Sequence, residues 1–399
     1  MSILSDKTKQ FYDTVSLEQR KKEGQYMTPF SMIYKSFESI DIDKNEHILE
    51  PSFGTGQFID ILSEKGFKNI YGVEKDKEIF KLQKKNKKFI NNDYLQTNFD
   101  CKFGLIIGNP PYFEFKPDDE TKKKFKDVIS GRPNMYSLFI KKGIDELKEN
   151  GILSFIIPTS LLSSKYFEQT RFYIYKYCNI ERIHKQNTND FEDALQKTMI
   201  FQIKKRPTDE KTDNKFIVNI GDTIIFSEEY DKINQYIQNK KCIKDLDCSV
   251  KTGNIVWNQV RDNNNDLLTN DDKNTILLVY PRNLVDGEIK IVKDDKKPQY
   301  MKKNDRFNVF EAPVIAINRI IGNGCITFKP VLIKKGTYYF ENHINVITGT
   351  LIKLKLIMTS LKDEETVDFV KNIIGNTQLS KTELETMVPI KCKEKIKKK

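Results

Sequence analysis

Short apolar runs alternate with amphipathic stretches from about residue 28 to residue 205. The runs predict strands at 47–50, 69–74, 89–91, 103–107, 152–157, 180–183 and 198–203. Phe103-Gly104-Leu105-Ile106-Ile107-Gly108 is apolar nearly throughout, as a parallel strand buried on both faces must be. The stretches between the runs read as helices. One runs from Thr28-Pro29 through Ser39, with Thr28 as N-cap and Pro29 at the first helical position. Others cover 57–65, a segment from Asp76, 136–148 with Gly151 after its end, and 166–178. This rhythm predicts a doubly wound α/β sheet.

The rhythm then stops. Pro207 to Lys215 is polar and charged and reads as a surface loop. Beyond about residue 240 there are short strand-like runs separated by Gly and Asn turns. Examples are Ile255-Val256-Trp257 and residues 276–280, 314–317 and 344–347. The expected division is one domain over 1–240 and a mixed α+β domain over 241–399, with no internal repeat.

Composition changes the picture little. The net charge of +11 suits a phosphate backbone. Only nine of the 67 cationic residues are Arg, however, and an AT-rich coding sequence explains much of the Lys equally well. The six cysteines are scattered, with no C-x-x-C pair, so neither a metal site nor a disulfide framework is expected. No membrane span or signal peptide is visible, and a reduced cytoplasmic setting fits best.

Candidate chemistry gathers at the strand ends, where open α/β sheets bind ligands. Asn109-Pro110-Pro111-Tyr112 follows the most apolar run. The prolines fix φ and supply no N–H, so the turn presents mainly carbonyls. Asn109 Oδ1 and the Pro110 carbonyl can both face a planar amino group, and Tyr112 offers a flat face for stacking. Glu50-Pro51-Ser52-Phe53-Gly54-Thr55-Gly56 is a Gly-rich turn, with Glu50, Ser52, Gly54 and Gly56 as ligand candidates. An acidic Glu50 would repel a pyrophosphate but suits a cationic ligand such as S-adenosylmethionine. Glu74, with Lys75 beside it, ends the second strand where a carboxylate can accept from ribose hydroxyls. Asp93 could accept from an adenine amino group, with Tyr94 packing on the ring.

In their order, these motifs resemble the γ-class, TaqI-like DNA adenine-N6 methyltransferases of restriction–modification type. Glu23-Gly24-Gln25-Tyr26-Met27-Thr28-Pro29 resembles that family's N-terminal cofactor motif, which implies Tyr26 and Thr28 as cofactor contacts. Asn109 to Tyr112 resembles its catalytic motif. Asn134 to Phe139 matches the helix behind the site, and Ile156 to Leu162 the strand and loop after it. Phe191 stands where the family places a second aromatic against the target base. Lys251 to Asn258 more loosely resembles the start of its target-recognition domain. The resemblance implies a Rossmann-like methyltransferase sheet with a C-terminal target-recognition domain. It also implies S-adenosylmethionine as cofactor, S-adenosylhomocysteine as product and no metal. The expected substrate is an adenine flipped out of double-stranded DNA between Tyr112 and Phe191. A monomer is expected, with room for a separately encoded restriction endonuclease as partner. No nuclease segment precedes the first motif, so no fused nuclease is expected.

Arg261, Arg282, Arg306 and Arg319 stand out against the Lys background as candidate DNA contacts, because a planar fork can bind guanine bidentately. Trp257 is expected in the core. Two other readings use the same tetrapeptide: methylation of an RNA base amino group, and methylation of a protein glutamine. A third, of another class, is a non-catalytic DNA-binding protein on this fold.

Overall fold

Two helices, α1 (Asp6–Thr14) and α2 (Phe30–Ser36), precede an alternation of strands and helices. It runs β1 (His47–Glu50), α3 (Gln57–Glu64), β2 (Asn69–Glu74), α4 (Lys77–Lys81), β3 (Phe89–Asn91) and β4 (Phe103–Gly108). There follow α5 (Asp119–Lys124), α6 (Met135–Glu146), β5 (Leu147–Pro158), α7 (Glu168–Tyr177), β6 (Cys178–Lys185) and β7 (Thr198–Lys205). The structure is a computed structural model and describes residues 5–16, 18, 28–83, 86–129, 131–185, 197–210, 212, 215–263, 267–292, 297–319, 328–373 and 378–392. Among these no helix is long and apolar enough to cross a membrane.

The strands form one sheet in the order β3-β2-β1-β4-β5-β7-β6. β1 to β5 are parallel, whereas β7 runs antiparallel to both β5 and β6. The sheet is therefore doubly wound and Rossmann-like, with a reversed strand near one edge. Side chains alternate between its two faces, as the pleat requires. Leu49, Ile106, Phe155 and Ile157 pack with Leu138, Ile140 and Ile144 of α6 and Ile174 of α7. Ile48, Leu105, Ile107 and Ile156 pack on the other face with Met32 and Ile33 of α2 and Phe58, Ile61 and Leu62 of α3. Each side chain in these two groups is nearly or wholly removed from water.

Three local expectations are corrected. Helix α2 begins at Phe30 and ends at Ser36, with Pro29 at the N-cap position and no side-chain cap. Thr28 does not cap it, because its hydroxyl accepts from Asn109 instead. The helix expected over 136–148 ends at Glu146, because Leu147 is paired to Phe103 and already belongs to β5. Ile255-Val256-Trp257 is not a strand. Only Ile255 makes a bridge, to Glu341, and the Val260 N–H bonds the Val256 carbonyl as a helix starts at Trp257.

The chain divides into two compact units, Met1–Val218 with Ile224–Tyr230, and Asn219–Thr223 with Asp231–Lys399. The second unit is mixed α+β. One of its sheets has four antiparallel strands in the order Ser249–Thr252, Ile344–Thr348, Val314–Asn318, Val331–Ile333. Another has five strands centred on Thr275–Val279. Trp257 packs against the Ile255, Val260 and Tyr280 cluster of this unit, as expected of a core residue.

Candidate active site

The strand order reverses between β1 and β4, and a crevice outside the carboxyl ends of two such strands is where a doubly wound sheet binds its ligand. Glu50 is the last residue of β1, and Asn109 is the first beyond β4. A cavity of about 250 Å³ lies there. Thr28, Glu50, Ser52, Gly54 and Glu74 line it. So do Lys75, Asp93, Tyr94 and Asn109, which brings nine of the candidates to one place. Gly56 sits just behind, capping α3 with φ of 85°, a left-handed conformation that favours glycine. Tyr26 and Phe191 lie outside the described residues.

Glu50 is 1% exposed, and its Oε2 has no hydrogen-bond partner among the described residues. Burial, helped by the charges of Glu74 and Asp60, holds its carboxyl well above the usual carboxylate range. A buried acceptor left in this state fits a ligand that brings a positive centre, such as an ammonium or sulfonium. Glu74 differs in detail. Its Oε2 accepts from the Gly54 N–H at 2.8 Å and its Oε1 from the Asp76 N–H at 2.7 Å. Burial raises this carboxyl too, and those two N–H donors pull it back. Each oxygen keeps a lone pair for a ligand hydroxyl. Asp93 accepts from the Leu95 N–H at 2.9 Å and pairs with Lys75 at 3.0 Å.

Tyr94 is 2% exposed and forms part of the cavity wall. Its hydroxyl donates to Glu146 Oε2 at 2.7 Å, and Glu146 in turn pairs with the buried Lys142, whose ammonium also bonds the Thr97 carbonyl at 2.8 Å. The ring is thus bolted from behind by an ion pair that a ligand in the cavity need not disturb.

Asn109 is held at both ends of its amide. Nδ2 donates to Thr28 Oγ1 at 2.9 Å, and Oδ1 accepts from the Tyr112 hydroxyl. The same hydroxyl lies 2.6 Å from the Ile156 carbonyl at the end of β5. Ser52 Oγ approaches the Asn109 carbonyl at 3.3 Å. Burial pushes the Tyr112 phenol well above its ordinary value, so it stays protonated and donates. These partners decide which end of the amide is oxygen. The Tyr112 ring meets Tyr136 edge-on, with centroids 6.1 Å apart.

Sequence reasoning missed several walls of the cavity, among them Gln57, Phe58, Ile79 and Phe113, and it gave Met135 and Phe139 only as part of the helix behind the site. Phe113 directly follows the tetrapeptide. Met135 and Phe139 are one turn apart on α6, so their shared spacing was the available signal. In the second unit, Arg261 is exposed and lies 5.0 Å over the Trp257 ring. Arg306 is exposed as well. Arg282 and Arg319 are half-buried and donate to the Lys297 and Asn342 carbonyls, each at 3.0 Å.

The chain is similar to several known proteins. Residues 27–191 match the family described as Eco57I restriction-modification methylase. Type II methyltransferase M.CvrRI of Paramecium bursaria Chlorella virus XZ-6E is 28% identical over 391 residues, covering 96% of this chain and 97% of its own length. Modification methylase CviBIII of Paramecium bursaria Chlorella virus NC1A is 29% identical, covering 94% of this chain and 95% of its own. Type II methyltransferase M.AccI of Acinetobacter calcoaceticus is 30% identical over 60% of this chain and 47% of its own length. A cavity at the switch point of a doubly wound sheet, and relatives matched nearly end to end, make this chain similar to methyltransferases of restriction–modification type.

Proposed function

We propose that the chain transfers the methyl group of S-adenosylmethionine to N6 of an adenine flipped out of double-stranded DNA, at one short sequence. The observation that carries this reading is the clamped amide of Asn109 beside the buried carboxylate of Glu50. When bound, S-adenosylmethionine supplies a methyl group on positively charged sulfur. Glu50 fits its cationic part, Glu74 its ribose hydroxyls and Asp93 its adenine amino group.

The amino nitrogen of adenine is a poor nucleophile because its lone pair is delocalised into the ring. Asn109 Oδ1 and the Pro110 carbonyl each accept one of its N–H bonds. That pairing favours a more tetrahedral nitrogen with its lone pair aimed into the cavity. Catalysis is then mostly positioning and preorganised dipoles, and no general base is required beforehand. Tyr112 and Phe191 sandwich the extruded base, which must leave the stack to reach the site. Residues 241–399 read the sequence, with Arg261 and Arg306 available to DNA.

The test is sequencing that detects modified bases on DNA from cells expressing the chain, with Asn109→Ala as control. N6-methyladenine in one short motif, absent from the control, is the expected result. DNA without new modification would overturn the reading.

A further inference from the structure

Helix α1 contributes no residue to the reaction described above, yet its polar side chains converge on the turn that cradles the cofactor. Thr8 is fully buried and carries one side of the connection. Its hydroxyl lies 2.7 Å from Thr55 Oγ1 and donates to Gln57 Oε1 at 3.0 Å. Thr55 and Gln57 are 1% and 4% exposed, and both line the cavity. Lys7 carries the other side. Its ammonium bonds Gln83 Oε1 at 2.8 Å and Asp60 Oδ2 at 3.1 Å. Gln83 Nε2 in turn reaches the Gly56 carbonyl at 3.5 Å and lies so close over Gly56 that a Cβ there would come within 1.8 Å of it. Neighbouring residues of α1 thus grip the Gly turn at Thr55 and at Gly56. Phe11, 6% exposed, seats the helix.

A surface helix is normally held by an apolar stripe. This one is held in good part by long-range hydrogen bonds, two buried ones from Thr8 to Thr55 and Gln57 and those of Lys7 to Asp60 and Gln83. Hydrogen bonds of this kind set geometry, and leaving one partner unmade is costly. We infer that α1 is a clasp on the cofactor turn, with Thr8 as a positioning residue that sets Thr55 and Gln57 for S-adenosylmethionine. The inference rests on the cofactor reading above and adds to it a residue that touches neither cofactor nor DNA. Coupling is reciprocal, so a bound cofactor must also hold α1 in place.

The experiment compares Thr8→Val, which keeps the shape and removes the hydroxyl, with Thr8→Ser, which keeps the hydroxyl. Binding of S-adenosylhomocysteine is measured by calorimetry and binding of duplex DNA by fluorescence anisotropy. Thr8→Val is expected to weaken S-adenosylhomocysteine about tenfold and leave DNA unchanged, with Thr8→Ser close to wild type. In the wild type, S-adenosylhomocysteine is expected to slow amide hydrogen exchange across residues 6–14. Wild-type affinity in Thr8→Val, or equal losses for both ligands, would overturn the clasp alone. A wild type that does not bind S-adenosylhomocysteine would overturn the cofactor reading beneath it, and the clasp with it.

Discussion

Thr28 and Asn109 are 81 positions apart in the chain, and their side chains are joined by one hydrogen bond of 2.9 Å. The Thr28 hydroxyl accepts from Nδ2 and so keeps Oδ1 turned the other way. Thr28→Val should release the Nδ2 end of the amide, which Tyr112 then holds from the Oδ1 end alone, while leaving the cavity wall in place. The single-turnover rate of methyl transfer is expected to fall by about tenfold or more, as when a preorganised dipole is loosened. Thr28→Ser should retain most of the rate. Equal rates in the two variants would mean that the bond does not orient the amide.

On the proposed reading, Tyr112 has two functions that substitution can separate. Tyr112→Phe removes the donor to Asn109 Oδ1 and the Ile156 carbonyl but keeps a ring. It should slow methyl transfer while the fluorescence rise of 2-aminopurine at the target position survives. Tyr112→Ala should lose that rise as well, since stacking is worth about 1–3 kcal/mol per base. If Tyr112→Phe loses the rise too, the hydroxyl and not the ring holds the base.

On the proposed reading, the state of Glu50 should link pH to cofactor binding. Its carboxyl holds a proton more tightly in the fold than in the unfolded chain, where the ordinary value is 4.5. The unliganded protein therefore loses stability as pH rises from that value through the raised one. A cation beside Glu50 favours the carboxylate, so binding should release a proton and tighten as pH rises. Calorimetry in two buffers of different ionisation enthalpy counts that proton. Glu50→Gln should abolish the release and weaken S-adenosylmethionine, while the free protein melts a few degrees higher at neutral pH. An unchanged proton count in Glu50→Gln would assign the release elsewhere.

The four arginines of the second unit should separate into two pairs. Arg261→Ala and Arg306→Ala should each weaken DNA binding and lower the salt slope by about one, with a smaller fall in melting temperature than the other pair. Arg282→Ala and Arg319→Ala each leave a backbone carbonyl without its donor and should lower the melting temperature. Unfolding and salt titration on the same four proteins decide the assignment.

Much of the first unit was legible because its signals are local. The strands at 47–50, 69–74 and 89–91 declare themselves by apolar runs, and the Gly turn and the Asn-Pro-Pro-Tyr tetrapeptide by residues with few other uses. What was not legible depends on contacts between distant segments. Thr28 before a proline reads as a cap, and only the fold reveals that Asn109 competes for its hydroxyl. Leu147 carries a helical pattern onward until pairing with Phe103 claims it. The role of α1 was not legible because its contacts, the Thr8 hydroxyl on Thr55 and Gln57, join segments some fifty residues apart.

The reversed strand β7 has a consequence for the path of the chain. Because it runs against its neighbours, Thr198 pairs with Pro158 at the carboxyl end of β5, and Lys185 at the end of β6 pairs with Met199 on that same edge. Both flanks of the connection between them therefore stand at the carboxyl edge of the parallel strands. Inverting one strand thus brings the chain back to the carboxyl edge of the parallel strands twice in succession, at Lys185 and again at Thr198, on the cavity's side of the sheet.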